Sequence, residues 1–153
     1  MASPHASDPV CTCFMVRSLS RKISQLYDDT LAPCGLRGTQ FSLLVQARNA
    51  PDGPLTVSAL AERLHTDRTT MTRNLRALQQ AGLIELAPGA DARSRCVLVT
   101  PEGRSRIREA AALWRQAQQR VRELCGAERI AALESLALGM LPMLETATQE
   151  DAA

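Results

Sequence analysis

Aromatic side chains are scarce: phenylalanine, tyrosine and tryptophan make up 3% of the 153 residues. A core without them must come from Leu, Ala, Val and Met, a set that favours helices. Lysine is nearly missing, with Lys22 alone, so the 18 basic side chains are otherwise arginine. Histidine occurs only as His5 and His65. So few imidazoles assemble neither a His-rich cluster nor an obvious acid–base pair, and there is no Gly-rich phosphate loop or nucleophile elbow. An enzyme, a resident cofactor and a metal site are therefore not expected. No uninterrupted apolar run approaches ~18 residues, and Met1 to Asp8 lacks a basic-then-apolar leader. The expectation is a cytoplasmic protein without a membrane span. Five cysteines, an odd number, do not read as a disulfide framework in a reducing compartment.

What is present suits one folded domain. Hydrophobic residues make up 45% of the chain and charged residues 22%, enough to form a core and to disfavour disorder. The net charge of +2 says little about partners by itself. Its distribution says more, because arginines concentrate at 63–76 and 93–108. A GC-rich coding bias accounts for the arginine-to-lysine ratio but not for clustering on one helix face.

The stretch from Thr56 to Gly103 organises the rest. Thr56 can cap a helix whose Val57, Leu60, Ala61 and Leu64 form one apolar stripe. A second helix starts near Thr66–Asp67 and ends at Gly82, a suitable residue just past a helix C-terminus. It buries Met71, Leu75 and Leu78 and opposes them with Thr69, Thr72, Arg73 and Arg76. Arginine can grip a guanine edge or a phosphate with two parallel bonds, and threonine can bond phosphate or touch a thymine methyl. Leu83–Leu86 and Arg95–Thr100 read as short strands around the loop Pro88 to Ser94. The whole is a winged helix-turn-helix with Arg93 near the wing tip, placed to enter a minor groove. Asp91 stands two residues before Arg93, close enough for a local salt bridge.

The flanking segments read as helices. Asp8-Pro9 is a plausible start for a long helix reaching Leu31, with Cys13, Val16, Ser20, Ile23 and Tyr27 on one face. Thr39 can cap a helix carrying Phe41, Leu43, Leu44 and Val45. Leu55 suits a short strand beside the wing. Thr100-Pro101-Glu102 is a strong start for a helix to Cys125, with Ile107, Ala111, Trp114, Val121 and Leu124 available for packing. A last helix spans about Glu128 to Leu144, with Pro142 expected to kink or shorten it. The fold class is mainly α with a small β wing. Residues 1–8 form a tail, 54–100 the winged helix-turn-helix, and 9–50 and 101–146 helices with more apolar surface than a small winged unit needs. A homodimer built from both ends of the chain accounts for that surplus, and its two reading helices call for a pseudo-palindromic operator in double-stranded DNA.

Leu60-Ala61-Glu62-Arg63-Leu64, Arg68-Thr69-Thr70-Met71-Thr72-Arg73-Asn74-Leu75, Leu78 to Gly82-Leu83-Ile84, Asp91-Ala92-Arg93 and Leu98-Val99-Thr100-Pro101-Glu102-Gly103 follow one another in an order that resembles the MarR family of bacterial transcription regulators. The resemblance runs over roughly residues 10 to 145 and is strongest from 55 to 103. It implies a homodimer, a palindromic operator and usually repression relieved by a small signal. The DNA-contacting set expected here is Arg73, Thr69, Thr70 and Thr72 in the major groove, Arg68 and Arg76 on phosphates, and Arg93 in the minor groove, with Asp91 and Arg95 beside it.

Cysteine carries the remaining chemistry. Cys13-Phe14 in the first helix, with Tyr27 further along, resembles the organic-hydroperoxide-sensing branch of that family. The resemblance implies Cys13 as a reactive thiol, Tyr27 as its hydrogen-bond partner from the other chain, and a late cysteine, here Cys125, as the resolving thiol. Gly38 and Arg17 stand where that branch has further tyrosines, so thiol sensing is implied more than hydroperoxide specificity. Cys11 is a further candidate; Cys34 and Cys96 read as structural. Cys11 and Cys13 diverge by about 200° on a helix, which disfavours joint metal binding. A thiophilic metal, a small aromatic ligand and thiol oxidation all remain open as signals. The rival of another class is a winged helix used only for protein contact, which would need neither Arg73 nor Arg93.

Overall fold

The computed structural model describes residues 10–91 and 93–150. Its elements are α1 (Thr12–Leu31), a short 3-10 turn (Ala32–Cys34), α2 (Gly38–Arg48), α3 (Val57–Arg63), α4 (Arg68–Gln80), β1 (Ile84–Pro88), β2 (Arg95–Val99), α5 (Pro101–Cys125) and α6 (Ala127–Glu150). Three helix starts are set by one side chain each. The hydroxyl of Thr56 accepts from Ala59 N–H at 3.1 Å, the carboxylate of Asp67 from Thr70 N–H at 2.9 Å, and the hydroxyl of Thr100 from Gly103 N–H at 3.0 Å. Each satisfies an amide that the first helical turn leaves without a partner. Gly82 ends α4 with φ of 70°, as its position past the C-terminus requires.

The two strands pair antiparallel from Ile84↔Val99 to Pro88↔Arg95. A bridge between Thr56 and Cys96, and the bond from Val97 N–H to Leu55 O at 2.9 Å, lay the segment before α3 along the outer edge of β2. The core gathers Phe41, Leu43 and Leu44 of α2, Leu60 of α3, Met71, Leu75 and Leu78 of α4, Ile84 and Val97 of the wing, and Ile107 of α5. Thus α2 packs as part of the winged unit. Its Phe41 meets Trp114 of α5 with ring centroids 6.2 Å apart. Arg106 of α5 donates to Cys34 O at 2.8 Å, tying the end of α1 to the base of α5.

Several expectations are corrected. Asp8-Pro9 lies outside the described residues, and α1 begins at Thr12 with Cys11 as the extended residue before it. Thr39 is not a cap: the cap is Arg37, two residues earlier, and α2 starts at Gly38, because Asp28 of α1 accepts from Gly38 N–H at 2.8 Å and Gln40 accepts from Arg37 N–H at 2.9 Å. The first strand runs from Ile84 to Pro88, since Pro88 pairs with Arg95 and needs no N–H of its own there. Pro142 does not shorten the last helix, which continues to Glu150; a single missing amide is a local loss in an otherwise continuous ladder. Leu124 is exposed rather than packed.

The outer helices keep large apolar side chains on the surface. Phe14, Met15, Val16 and Leu19 of α1 are exposed, as are Leu136, Leu138, Met140 and Met143 of α6. By length and composition, Ala127–Ala147 is apolar enough to cross a membrane, with a mean hydropathy of 1.3. Arg129 and Glu134 interrupt the stretch, so it is not one continuous apolar run.

Candidate nucleic-acid interface

The interface is built on α4. Its Met71, Leu75 and Leu78 are buried, which fixes the rotation of the helix and turns Thr69, Arg73 and Arg76 to the opposite side. All three are exposed, as are Arg68 at the first helical position and Thr72. Among the ion pairs of the described residues, none engages Arg68, Arg73, Arg76, Arg93 or Arg95. These guanidiniums are therefore held out by the fold without an internal acid to neutralise them, the arrangement an anionic partner needs.

Two of the threonines have internal work. Thr72 donates its hydroxyl to Arg68 O at 2.8 Å, which leaves its methyl and oxygen lone pairs outward. Thr70 is exposed, donates to the Asp67 carboxylate at 2.7 Å and, with Asn74, also lines a cavity. The same bond, with Thr70 N–H behind it, holds the Asp67 carboxyl below its ordinary value of 3.8.

The wing tip is organised by Asp91. Its carboxylate accepts from Arg93 N–H at 2.9 Å and from Ser94 N–H at 2.7 Å. The expected salt bridge to the Arg93 guanidinium is not among the ion pairs of the described residues. Asp91 instead bonds the backbone on either side of the arginine's Cα, so it shapes the turn and leaves the guanidinium projecting. Arg95 opens β2 and is exposed.

The cysteines fall in separate places. Cys11 and Cys13 are exposed at the start of α1, Cys125 is half-buried at the end of α5, Cys34 is buried and donates to Leu31 O at 3.0 Å, and Cys96 is half-buried in β2. Fourteen residues of helix separate Cys13 from Tyr27, about 21 Å of rise, so one chain cannot bring them together. Among the described residues there is no group of three His, Cys, Asp or Glu side chains that could hold a metal.

Sequence reasoning did not define the cavity of about 340 Å³ between α1, α2, α4 and α5. Its wall includes Tyr27, Asp28, Ser42, Asn74 and Trp114. The only local signal is polar side chains such as Ser24 and Asp28 recurring along an otherwise apolar face, which reads equally as ordinary surface. Burial raises the Tyr27 phenol above its ordinary value of 10.0; Arg122 of α5 opposes that shift and Glu134 of α6 adds to it.

A three-helix unit with a two-stranded wing, an arginine-bearing second helix and an arginine-tipped hairpin define a winged helix-turn-helix DNA-binding protein. Residues 35–94 match the family model described as MarR family. The structure of the M. tuberculosis transcriptional regulator MosR is 32% identical, with a TM-score of 0.74 over 88% of this chain and 97% of that one. MosR in complex with DNA is 36% identical, with a TM-score of 0.69 over 85% of this chain and 98% of that one. The uncharacterized HTH-type transcriptional regulator YwoH of Bacillus subtilis is 28% identical over 94 residues, 61% of this chain and 67% of that protein. The chain belongs to the MarR family: it is a DNA-binding transcription regulator and not an enzyme.

Proposed function

We propose that the protein is a homodimeric repressor that reads a pseudo-palindromic operator and is released by a signal acting at its outer helices. The observation that carries this reading is the two-sided α4, leucines inside and unpaired guanidiniums outside, set beside a wing whose arginine projects. Arg73, Thr69 and Thr72 face the major groove, Thr70 contributes from the flank, Arg68 and Arg76 hold phosphates, and Arg93 enters the minor groove with Arg95 and the Asp91-shaped turn behind it. The dimer forms from α1, α5 and α6, whose exposed apolar side chains exceed what a monomeric surface ordinarily carries. The same contacts supply α6 with a partner helix, in keeping with a cytoplasmic regulator. The region 54–100 is the reading head and the helices on either side set the distance between two heads.

The signal is thiol oxidation at Cys13. A hydroperoxide oxidises the thiolate to a sulfenic acid and is itself reduced to the alcohol. The thiol of Cys125 from the other chain, or of Cys11, then attacks that sulfur, forming a disulfide and releasing water. Cys11 and Cys13 are the two exposed cysteines, which favours them as first targets. Tyr27 of one chain faces Cys13 of the other in this arrangement. A second reading, a small aromatic ligand, is favoured by the cavity that Tyr27 and Trp114 line and that reaches α4 through Asn74. Neither reading needs a cofactor.

The test is fluorescence anisotropy with DNA from upstream of the protein's own gene, using reduced and peroxide-treated wild type and Cys13→Ser. Release of oxidised wild type but not of the variant supports the thiol signal. Release of both by oxidant, or of neither, removes Cys13 from the account and directs attention to the cavity.

A further inference from the structure

His65 occupies a position where a helix end favours glycine. The C-terminus of α3 closes with Thr66 N–H donating to Ala61 O at 2.9 Å and His65 N–H donating to Glu62 O at 3.0 Å. This pair of bonds demands left-handed backbone at the residue past the cap. The equivalent position after α4 is Gly82. After α3 it is His65, with φ of 47°, the only non-glycine residue with positive φ among the described residues. A Cβ there is a steric cost that glycine would avoid.

The imidazole makes a distant contact. Its Nδ1 lies 2.7 Å from Oε1 of Glu145, on α6. Among the ion pairs of the described residues, this one alone joins the winged unit to α6; the others lie within α5 or between α5 and α6. The second hold on α6 is Arg122–Glu134, at 3.7 Å. Glu134 and Glu145 are roughly 16 Å apart along the helix. The first of them acts on Tyr27, at one side of the cavity, and the second meets the turn whose Leu64 and Thr66 line the other. Helix α6 is therefore held at two points along its length, although few of its own side chains are buried.

We propose that the His65–Glu145 contact is a latch that couples α6 to the reading head. Asp67, the cap of α4, follows His65 by two residues, so a shift of the turn is passed directly to the start of the reading helix. Movement of α6 in the dimer is transmitted to α4 through this contact for as long as it holds. The consequence for DNA rests on the reading proposed above; the coupling itself does not.

The test is amide hydrogen exchange by mass spectrometry on full-length, DNA-free protein, comparing wild type, His65→Gly, Glu145→Ala and the double variant. Exchange in residues 64–67 and 141–147 is expected to rise about two- to fivefold in each single variant, the range of a half-exposed polar side-chain contact. The double variant should exchange no faster than either single one, because both remove the same contact. His65→Gly should melt at or above the wild-type temperature as the backbone relaxes, which separates loosening from misfolding. Unchanged exchange in α6, or additive increases in the double variant, overturns the latch. Operator affinity should then shift by one common factor in all three variants. Affinities of all three variants equal to that of wild type, for DNA that wild type binds, overturn the coupling to α4. If wild type binds no DNA, the DNA reading has failed and exchange still decides the latch.

Discussion

Replacing Gly103 with alanine tests how the wing is joined to α5. A Cβ at Gly103 would press into the carbonyl oxygen of Leu83 and sit 2.9 Å from Cγ1 of Val99. Neither neighbour is free to yield. Leu83 O accepts from Thr100 N–H at 3.1 Å, and the Thr100 hydroxyl donates to Gly82 O at 2.8 Å while accepting from Gly103 N–H at 3.0 Å. Leu83 and Val99 are buried, so the exit from α4, the base of the wing and the start of α5 meet at one point. Overpacking of this kind costs ~1–3 kcal/mol, and the backbone bonds at stake place Gly103→Ala toward the upper end. At ~2–4 °C per kcal/mol for a chain of this size, the melting temperature should fall by about 4–12 °C. Gly139→Ala in α6 supplies the contrast. Nothing lies within 4 Å of its Cβ position, so alanine should stabilise the helix by ~0.5–1 kcal/mol. Both are read by thermal melts at one protein concentration, since any self-association makes the midpoint concentration-dependent. A Gly103→Ala melt within about 1 °C of wild type, against the magnitude expected for overpacking, refutes the reasoning.

Other outcomes follow from the same structure. Tyr27 is the only tyrosine, so absorbance near 295 nm reads its phenol directly. Its midpoint should lie above 10.0, fall in Glu134→Gln and rise when Arg122 is neutralised. Because the fold favours the neutral phenol, this stability is complete below the unfolded value and is lost as pH rises past it; a midpoint at or below the unfolded one contradicts the burial argument. Asp67 behaves in the opposite sense. Its depressed carboxyl contributes stability above the unfolded value of 3.8 that is lost as pH falls through the folded one, and Thr70→Val should move its NMR titration upward. Asp91→Ala should speed amide exchange at Arg93 and Ser94 and weaken operator binding while leaving the melt nearly unchanged, since the bonds it removes lie at an exposed tip; an unchanged affinity would leave the wing without a role in binding.

Much of this fold is local chemistry and can be read from the chain. Thr56, Asp67 and Thr100 each satisfy an amide three residues ahead, and Gly82 supplies a left-handed turn one residue past a cap; sequence spacing alone carries such information. The buried stripe Met71, Leu75 and Leu78 fixes which side of α4 faces outward, so the arginine face is legible for the same reason. What escaped depends on contacts between distant segments. The start of α2 is decided by Asp28 from another helix, not by Thr39. Thr70 looks like one more free hydroxyl, but it is already bonded to Asp67 and also lines the cavity. Asp91 beside Arg93 suggests a charge pair, but a carboxylate so close in the chain reaches backbone amides first. The cavity draws single residues from separate helices, and His65 gains its meaning from Glu145, near the other end of the chain.

The most direct measurement of the central claim is anisotropy of reduced protein on DNA from upstream of its own gene, across a salt series, with Arg73→Ala beside wild type. The account predicts preference over a scrambled duplex and a steep decline in affinity with salt. It also predicts that Arg73→Ala loses ~1–3 kcal/mol of discrimination, about 5- to 150-fold, while keeping non-specific binding. Indifference to sequence in wild type, or an Arg73→Ala variant as selective as wild type, would contradict it.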